Sequence, residues 1–511
     1  MIRHKSSTLK SFDLSIAGVA VMDRRKFLIS STTSSVLTAL GLTSIVACGS
    51  GGTGGTDTDI EPDTGDDNEP EEVSLTTLII PPLIEDTGAG ISLTAQSGAT
   101  EFFEGVPSDT WGFNGNYLGP TIRVRRGDSV DISIENTVDE AITSHWHGLH
   151  IPGDVDGGPY QMVESNTTWS PTLEIAQQAS TNWYHSHVHG NTGRQVYMGL
   201  AGLFLIDDDD SDALNLPNDY GVDDIPVIIQ DKLFDDDGNL DYSVDNIPGG
   251  RFAGNTMLVN GKVEPVMEVE AKRIRFRLLN ASNARFYNFT LSDGSSFYKI
   301  GTEGGLLNEP IEISSLYMTP GERNEIIIDL TGYAAGTQLA IQSSNEEAQD
   351  ENLPGDFDVL TIAVKELDSD NPTLPTLMNS VPDVSELLAS VTVTANRLFD
   401  LAAGQINDQV FSMARIDHAT NQGDYEIWDI RGGNHPFHMH GCSFLILSDD
   451  GALPAAEESG WKDTVLARGG TQGVTVLVQF NYLAPATSAY MYHCHILGHE
   501  DTGMMGQFTV V

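Results

Sequence analysis

This 511-residue chain has few basic residues, and a long central stretch of it has no histidine. The first shortage argues against certain partners, and the second limits where a histidine site can form. Lysine and arginine number 26 against 73 aspartates and glutamates, which gives a formal net charge of −47. A surface of that sign repels phosphate groups, so nucleic acid and anionic membranes are excluded as partners. Histidine is missing from residues 209–385, so any histidine site must be built from the two ends of the chain.

Cysteine occurs only at Cys48, Cys442 and Cys494. The first of these closes a segment, residues 1–48, that is typical of a targeting signal. A twin arginine at positions 24–25 precedes an apolar run, which Ser and Thr interrupt and which falls short of the roughly 20 residues of a membrane-spanning helix. This order predicts export by the twin-arginine route to the periplasm or cell envelope.

The residues that end at Cys48 resemble a lipobox, so we expect cleavage before Cys48 and a lipid anchor on its thiol. Simple signal cleavage and retention of the segment as an anchor are the alternatives, and Met22 is an alternative initiator. Residues 49–72 are rich in Gly, Thr, Asp, Glu and Pro with almost nothing apolar, so they are predicted to be a disordered linker.

A dense group of metal-ligating side chains lies near the C-terminus and contains His493, Cys494, His495, His499 and Met504. Thiolate, imidazole and thioether are soft or borderline ligands, so the set suits copper better than zinc, calcium or magnesium. If this stretch begins as a strand, Cys494 points to one face and its two histidine neighbours to the other. A following loop can then return His499 and Met504 to the sulfur, as in a blue-copper electron-transfer centre.

A second histidine-rich run, which contains His435, His438 and His440, supplies the missing ligand. In an extended chain His435 faces one way and the other two face the opposite way, so His435 completes the Cys494 site. With two pairs upstream, the remaining histidines provide eight imidazoles, enough for three further copper ions: His145, His147, His185, His187, His438, His440, His493 and His495.

Alternating apolar and polar residues indicate β structure after residue 73, for example over residues 121–134. An internal repeat divides the chain, because residues 145–148 match 438–441 and residues 185–187 match 493–495. We therefore predict an all-β protein of Greek-key sandwiches or barrels, with a histidine cluster between its first and third domains. The three predicted domains are 73–208, 209–385 and 386–511. The second has no copper ligands and includes a linker, and the third carries the cysteine site.

At this point the chain resembles the multicopper oxidases, most closely the bacterial laccases and periplasmic cuprous oxidases. The resemblance covers about residues 73–511 and includes further motifs at 110–115, 155–159, 193–196, 223–227 and 460–464. It implies three consecutive cupredoxin-like domains and four copper ions. By the resemblance, type 1 copper takes His435, Cys494, His499 and Met504; type 2 takes His145 and His438; the type 3 pair takes His147, His185 and His495 on one ion and His187, His440 and His493 on the other.

The same resemblance implies a laccase-like enzyme that oxidises a small donor one electron at a time and reduces dioxygen to water, and we expect it to be a monomer. It also places Asp156 and Glu500 near the cluster as catalytic proton relays, with solvated or structural acids as the alternative. The methionine-rich insert of the cuprous oxidases is missing, since residues 345–434 contain only Met378 and Met413. Phenols and aromatic amines are therefore the expected donors.

Two alternatives remain for the function. The first is a metallo-oxidase that acts on Cu(I), Fe(II) or Mn(II) in metal homeostasis. The second, from a different class, is a non-catalytic cell-envelope scaffold of the same fold.

Overall fold

The computed structural model describes residues 77–243, 250–344, 355–468 and 472–511. The predicted signal segment, its anchor at Cys48 and the linker 49–72 lie outside these residues. No helix in the described part of the chain is long and apolar enough to cross a membrane.

The first part of the fold contains ten strands and two short helices: β1 (Leu83–Glu85), β2 (Ile91–Phe103), β3 (Val106–Phe113), β4 (Thr121–Arg125), β5 (Ser129–Asn136), β6 (His145–His147), β7 (Thr167–Trp169), β8 (Thr172–Glu174), β9 (Ser180–His185), α1 (Thr192–Met198), β10 (Ala201–Asp207) and α2 (Asp209–Asp212). One sheet has the order β1-β4-β10-β9-β6, and the other has the order β3-β2-β5-β7 with β8 also on β5. Burial alternates along β5 as the sequence pattern predicts.

The described residues of the middle part form twelve strands: β11 (Asp224–Lys232), β12 (Thr256–Val259), β13 (Lys262–Val263), β14 (Val266–Glu270), β15 (Arg273–Asn280), β16 (Tyr287–Leu291), β17 (Phe297–Thr302), β18 (Gly305–Ile313), β19 (Leu316–Met318), β20 (Arg323–Asp329), β21 (Gln338–Ser343) and β22 (Phe357–Lys365). They form a seven-stranded sheet, β13-β12-β11-β15-β20-β17-β18, and a five-stranded sheet, β14-β22-β21-β16-β19. Strand β22 lies within residues 345–385, which the sequence predicts to be a strand-bearing linker, and it pairs with β14 and β21.

In the third part, outside residues 469–471, the structure has ten strands, two helices and a 3-10 turn: α3 (Val384–Ser390), β23 (Val393–Ala402), β24 (Gln405–Ile406), β25 (His418–Thr420), β26 (Tyr425–Gly432), β27 (His435–Met439), β28 (Phe444–Asp449), the turn (Ala456–Glu458), β29 (Thr464–Ala467), β30 (Val474–Gln479), β31 (Tyr490–Cys494), α4 (Leu497–Asp501) and β32 (Met505–Val510). Its sheets have the orders β24-β23-β26-β30-β28 and β25-β32-β31-β27-β29.

The all-β prediction is confirmed, and each of the three sheet pairs encloses apolar side chains. Trp146, Phe276 and Trp428 are each fully buried in a different one of these cores. The exact domain boundaries stay predictions, and the one drawn at 385/386 falls inside α3.

The internal repeat reappears in the strand register. His145 on β6 lies opposite His185 on β9, and His438 on β27 lies opposite His493 on β31. Cys494 lies opposite Phe437, so it belongs to the other face of its sheet. The register therefore separates the thiol from its histidine neighbours, as the period-two argument predicts.

Candidate metal centre

A first cluster of ligand atoms forms where β27 begins and β31 ends. The sulfur of Cys494 lies 3.4 Å from Nδ1 of His435 and 3.6 Å from Nδ1 of His499, and these two nitrogens are 3.2 Å apart. Ligand atoms that share one first-row metal ion lie about 2.0–2.3 Å from it, so mutual separations of about 3.2–3.7 Å are expected. The three atoms fit a single ion without rearrangement.

The chain folds back around this cluster through α4 and the turn after it. Met504 donates its backbone N–H to the carbonyl of His499 (2.9 Å) and accepts from the N–H of Cys494 (3.1 Å). Met504 is fully buried in the same apolar core as Cys494. The predicted return of His499 and Met504 towards the sulfur is therefore present in the backbone.

Burial controls the protonation of the first cluster. It raises the pKa of the Cys494 thiol to about 12, although the N–H of Ile496 partly offsets this effect by donating to the sulfur. Burial, followed by His499 and Arg251, lowers the pKa of His435 to about 3. His435 is thus neutral and ready to bind a cation, and a metal ion is what would displace the thiol proton.

A segment from the middle part of the fold covers one side of this cluster, which the sequence did not indicate. A Cβ placed on Gly250 would lie 3.1 Å from the His499 ring, and Arg251 donates to the carbonyl of Asn434 at 2.7 Å. His499 is consequently 8% exposed, whereas His435 keeps an intermediate exposure. The solvent edge of the cluster is the His435 ring.

The second cluster contains the eight other predicted histidines, each 0–1% exposed. Nε2 of His493 lies 3.2 Å from Nε2 of His187 and 3.3 Å from Nε2 of His440. Two more trios have ligand atoms within 4.8 Å of one another: His145 with His147 and His185, and His145 with His438 and His440. The ring of His495 lies 5.1 Å from that of His147 and 5.8 Å from that of His185. All eight imidazoles are brought together between the first and third parts of the fold.

The hydrogen bonds of these rings leave nitrogens free to bind metal. Nδ1 of His145, His185 and His438 lies 3.0, 2.9 and 2.9 Å from a backbone carbonyl, while Nε2 of each is buried and unpaired among the described residues. Buried unpaired nitrogens are costly, and several that face one another require a cation as partner. Burial also lowers the pKa of His185 and His438, which keeps the rings neutral. The donor set therefore fits copper.

Asp156 contacts the second cluster directly. One of its carboxylate oxygens lies 2.8 Å from Nδ1 of His440 and 3.4 Å from Nδ1 of His145. Burial opposes ionisation, but these two histidines outweigh it and hold the pKa of Asp156 below its usual range. The carboxylate is therefore ionised and orients the His440 ring.

Glu500 lies on the opposite side and has the opposite tendency. Its carboxyl oxygens lie 3.3 Å from Nδ1 of His187 and 3.2 Å from Nδ1 of His493, without the alignment of hydrogen bonds. Burial, together with the neighbouring Asp501, raises the pKa of Glu500 well above its usual range. The structure thus brings both predicted acids to the cluster, one ionised and one protonated.

The position in the first repeat that corresponds to Cys494 holds no metal-binding set. Ser186 donates its hydroxyl to the side chain of Gln195, and Leu200 stands where the third part has Met504. Ser186 and Leu200 are both fully buried. A hydrogen-bonded polar pair and an apolar residue therefore replace the sulfur ligands in that copy.

The sequence reasoning missed two residues beside the second cluster, Arg323 and Asp463. Asp463 lies in a motif at 460–464 that the chain shares with the multicopper oxidases, which was the available signal. Its carboxylate lies 3.3 Å from Nε2 of His147 and accepts hydrogen bonds from Arg323.

These features define a class of protein: an all-β metalloprotein with one cysteine–histidine site joined by its own backbone to a buried eight-histidine site. Sequence profiles described as multicopper oxidase match residues 94–211 and 376–511. Multicopper oxidase mco of Staphylococcus aureus is 39% identical over 426 residues, which cover 82% of this chain and 88% of that protein. The chain belongs to the multicopper oxidase family.

Other relatives carry different names. Cell division protein FtsP of Salmonella typhimurium is 38% identical over 445 residues, 85% of this chain and 92% of that protein. The solved structure of a laccase-like multicopper oxidase CueO from Ochrobactrum sp. is 35% identical, with a TM-score of 0.78, and covers 85% of this chain and 100% of that one. A multicopper oxidase of Campylobacter jejuni described as a metallo-oxidase is 26% identical, with a TM-score of 0.72 over 85% of this chain and 95% of that one.

Proposed function

We propose that this protein is a copper-dependent oxidase that couples the one-electron oxidation of phenols or aromatic amines to the reduction of dioxygen to water. The observation that carries the proposal is that all twelve positions hold a ligand-type residue and that the eleven histidine and cysteine side chains lie in two clusters that meet at residues 493–495. We assign the type 1 site to His435, Cys494, His499 and Met504, type 2 to His145 and His438, and type 3 to His147, His185 and His495 with His187, His440 and His493. Copper bound there supplies four one-electron stores and the capacity to reduce dioxygen.

The side chains around the clusters connect the donor with the oxygen site. The partly exposed His435 ring is the place where a small donor can make contact with the first cluster. From Cys494 a covalent path runs through one peptide on each side to His493 and His495, which belong to the second cluster. An electron that follows this path stays within covalent bonds and away from solvent, because all three residues are buried.

Two acids, Glu500 and Asp156, lie beside the second cluster. Glu500 is protonated and stands 3.2–3.3 Å from two imidazoles, so it can deliver a proton from its carboxyl oxygen to the space between them. Asp156 is ionised and accepts from Nδ1 of His440, which holds that ring in place. The two acids therefore have different roles, Glu500 as a proton donor and Asp156 mainly as an orienting group.

The donor class follows from what covers the first cluster. The cover is Gly250 and Arg251 rather than a methionine-rich segment, and Met378 is buried away in another apolar group. Residues 345–434 contain only two methionines, Met378 and the exposed Met413, which are too few for a methionine-rich Cu(I) relay, and this favours organic donors. Oxidation of Cu(I), Fe(II) or Mn(II) is the alternative, and the structural likeness to the Campylobacter jejuni metallo-oxidase supports it.

A scaffold role without catalysis is a second candidate, supported by the similarity to cell division protein FtsP. The filled ligand positions favour the oxidase over it. We also infer export by the twin-arginine route, a lipid on Cys48 and a monomeric state; mass spectrometry of the mature N-terminus and light scattering test these points.

One experiment separates the three functions. Copper-loaded protein is assayed under oxygen with a phenol, Cu(I) and Mn(II), after the copper content per chain has been measured. We expect four coppers, a blue colour and the fastest turnover with the phenol. Faster turnover of Cu(I) or Mn(II) would favour the metallo-oxidase, while colourless, copper-free protein would favour the scaffold.

A further inference from the structure

The middle part of the fold has no histidine, yet one of its arginines reaches the histidine cluster. Arg323 begins β20 and is fully buried. Its guanidinium donates to both carboxylate oxygens of Asp463, at 2.8 and 2.5 Å, and its Nε donates to the carbonyl of Thr181 at 3.1 Å. The side chain therefore links the middle part to the first and third parts at the edge of the cluster.

Asp463 in turn contacts two imidazoles of the cluster. Its Oδ1 lies 3.3 Å from Nε2 of His147, and its backbone carbonyl lies 2.9 Å from Nδ1 of His438. The hydroxyl of Thr464 also donates to Oδ1, at 2.9 Å. One residue thus contacts one ring through its side chain and another through its backbone.

His147 differs from its neighbours in which nitrogen is left free. In His145, His185 and His438 a backbone carbonyl lies against Nδ1 and leaves Nε2 unpaired, whereas in His147 the carboxylate lies against Nε2 and Nδ1 is unpaired. A histidine that donates one ring N–H to a carboxylate is fixed in one tautomer and presents its other nitrogen as a ligand. The carboxylate therefore reverses the ring at this position.

The same atoms could instead be read as a ligand set, because His147, His438 and Asp463 lie close enough to hold one ion. Arg323 argues against that reading. Arg323 donates to both oxygens and Thr464 donates to Oδ1, which uses three of the roughly four lone pairs, and the guanidinium charge repels a second cation, so the carboxylate is held as a hydrogen-bond acceptor. Asp463 therefore supports a ligand and does not bind metal itself.

We propose that Arg323 and Asp463 act as a positioning pair that sets the tautomer and orientation of His147, so that its Nδ1 is the metal-binding atom. The inference rests on the proposed copper sites. It gives the histidine-free middle part a defined task in assembling the cluster, beyond holding the fold together.

The test compares two arginine-to-lysine variants. Arg323→Lys keeps the positive charge but loses the fork that grips both oxygens. Arg277→Lys is the matched control, because Arg277 lies on the adjacent strand β15 and is 2% exposed. Its guanidinium donates to Asp224 at 2.7 and 3.0 Å, to Glu325 at 3.2 Å and to Thr181, and among the described residues it contacts no histidine. Both variants lose the same kind of buried ion pair, so any difference reports on the cluster.

The readouts are copper per chain, the blue colour of the first cluster and the electron paramagnetic resonance spectrum of the histidine cluster, in which a type 3 copper that has lost its partner ion gives a new signal. Loss of such a supporting hydrogen bond commonly weakens metal binding by about 10–100-fold. In Arg323→Lys we expect that loss at the histidine cluster with the blue colour retained, and in Arg277→Lys a lower unfolding temperature with full copper and an unchanged spectrum. Asp463→Asn, of nearly the same shape, serves if Arg323→Lys does not fold, with the same loss expected.

Two results would overturn the inference: full copper and an unaltered spectrum in the Arg323 or Asp463 variant, or an equal loss in Arg277→Lys. A parent protein that binds no copper would instead overturn the proposed function. The two failures are therefore distinguishable, because the parent is measured beside its variants.

Discussion

Replacing Gly321 with alanine should disturb the histidine cluster although no metal ligand is replaced. Gly321 has φ of +85°, and a Cβ there would lie 2.7 Å from Cδ2 and 2.9 Å from Nε2 of the His495 ring. The left-handed backbone costs a non-glycine residue about 1–2 kcal/mol. The clash adds about 1–3 kcal/mol, as overpacking of a close-packed interior does.

The middle part of the fold offers a control that separates these two contributions. Gly336 has φ of +90°, but a Cβ there would meet nothing within 4 Å. Gly336→Ala should therefore lose only the backbone contribution of about 1–2 kcal/mol. The difference between the two variants isolates the contact with His495.

Thermal unfolding and copper content together make the assay. We expect Gly321→Ala to unfold at a lower temperature than Gly336→Ala and to hold less copper at the histidine cluster, because relief of the clash displaces His495. The blue colour should remain in both variants. If Gly321→Ala matches Gly336→Ala in stability and copper content, the close packing of the middle part on His495 is refuted.

Three further predictions concern single side chains. Cys494→Ser should abolish the blue colour and donor oxidation while copper stays in the histidine cluster, which absorption and metal analysis check; a coloured and active variant would contradict the type 1 assignment. Glu500→Gln removes the proton but keeps the shape, so oxygen turnover should fall roughly 10²–10⁴-fold with the colour unchanged, and an unchanged rate would exclude the proton-donor role. Burial, partly offset by Asp231, lowers the pKa of Lys232 from 10.5 to about 7, so the unfolded chain binds the extra proton between these values. The free energy of unfolding of the parent minus that of Lys232→Met should then be constant below about pH 7 and rise by about 1.4 kcal/mol per pH unit between about pH 7 and 10.5. Chemical denaturation at several pH values measures this difference, and a difference that does not change with pH would contradict the prediction.

The ligand faces could be predicted from the sequence because they depend on local periodicity. Side chains alternate along a strand, so the opposition of Cys494 to His493 and His495 follows from position numbers alone. The same alternation predicts that His438 and His440 join His493 and His495, and the strand register places His438 opposite His493. All-β structure and the two clusters therefore follow from patterns a few residues long.

Contacts between distant segments leave no such pattern. Arg323 and Asp463 are 140 residues apart, and each alone is an ordinary charged residue that a solvated surface would equally explain. Gly250 covers His499 only because the middle part packs on the third, which no periodicity of either segment indicates. The sequence thus identifies which side chains bind, whereas the structure is needed to identify what holds them in place.

The middle part of the fold explains why a chain would retain a third of its length without ligands. Several buried nitrogens of the eight imidazoles have no hydrogen-bond partner among the described residues, so these rings contribute little to holding the first and third parts together before metal arrives, and an external frame is useful. Three middle-part contacts provide it: Arg323 through Asp463, Gly321 against His495, and Gly250 against His499. Each contact touches or supports a different histidine, so shifting the middle part would disturb both clusters at once. Mutations at this interface should therefore impair copper loading more than their distance from the metal suggests.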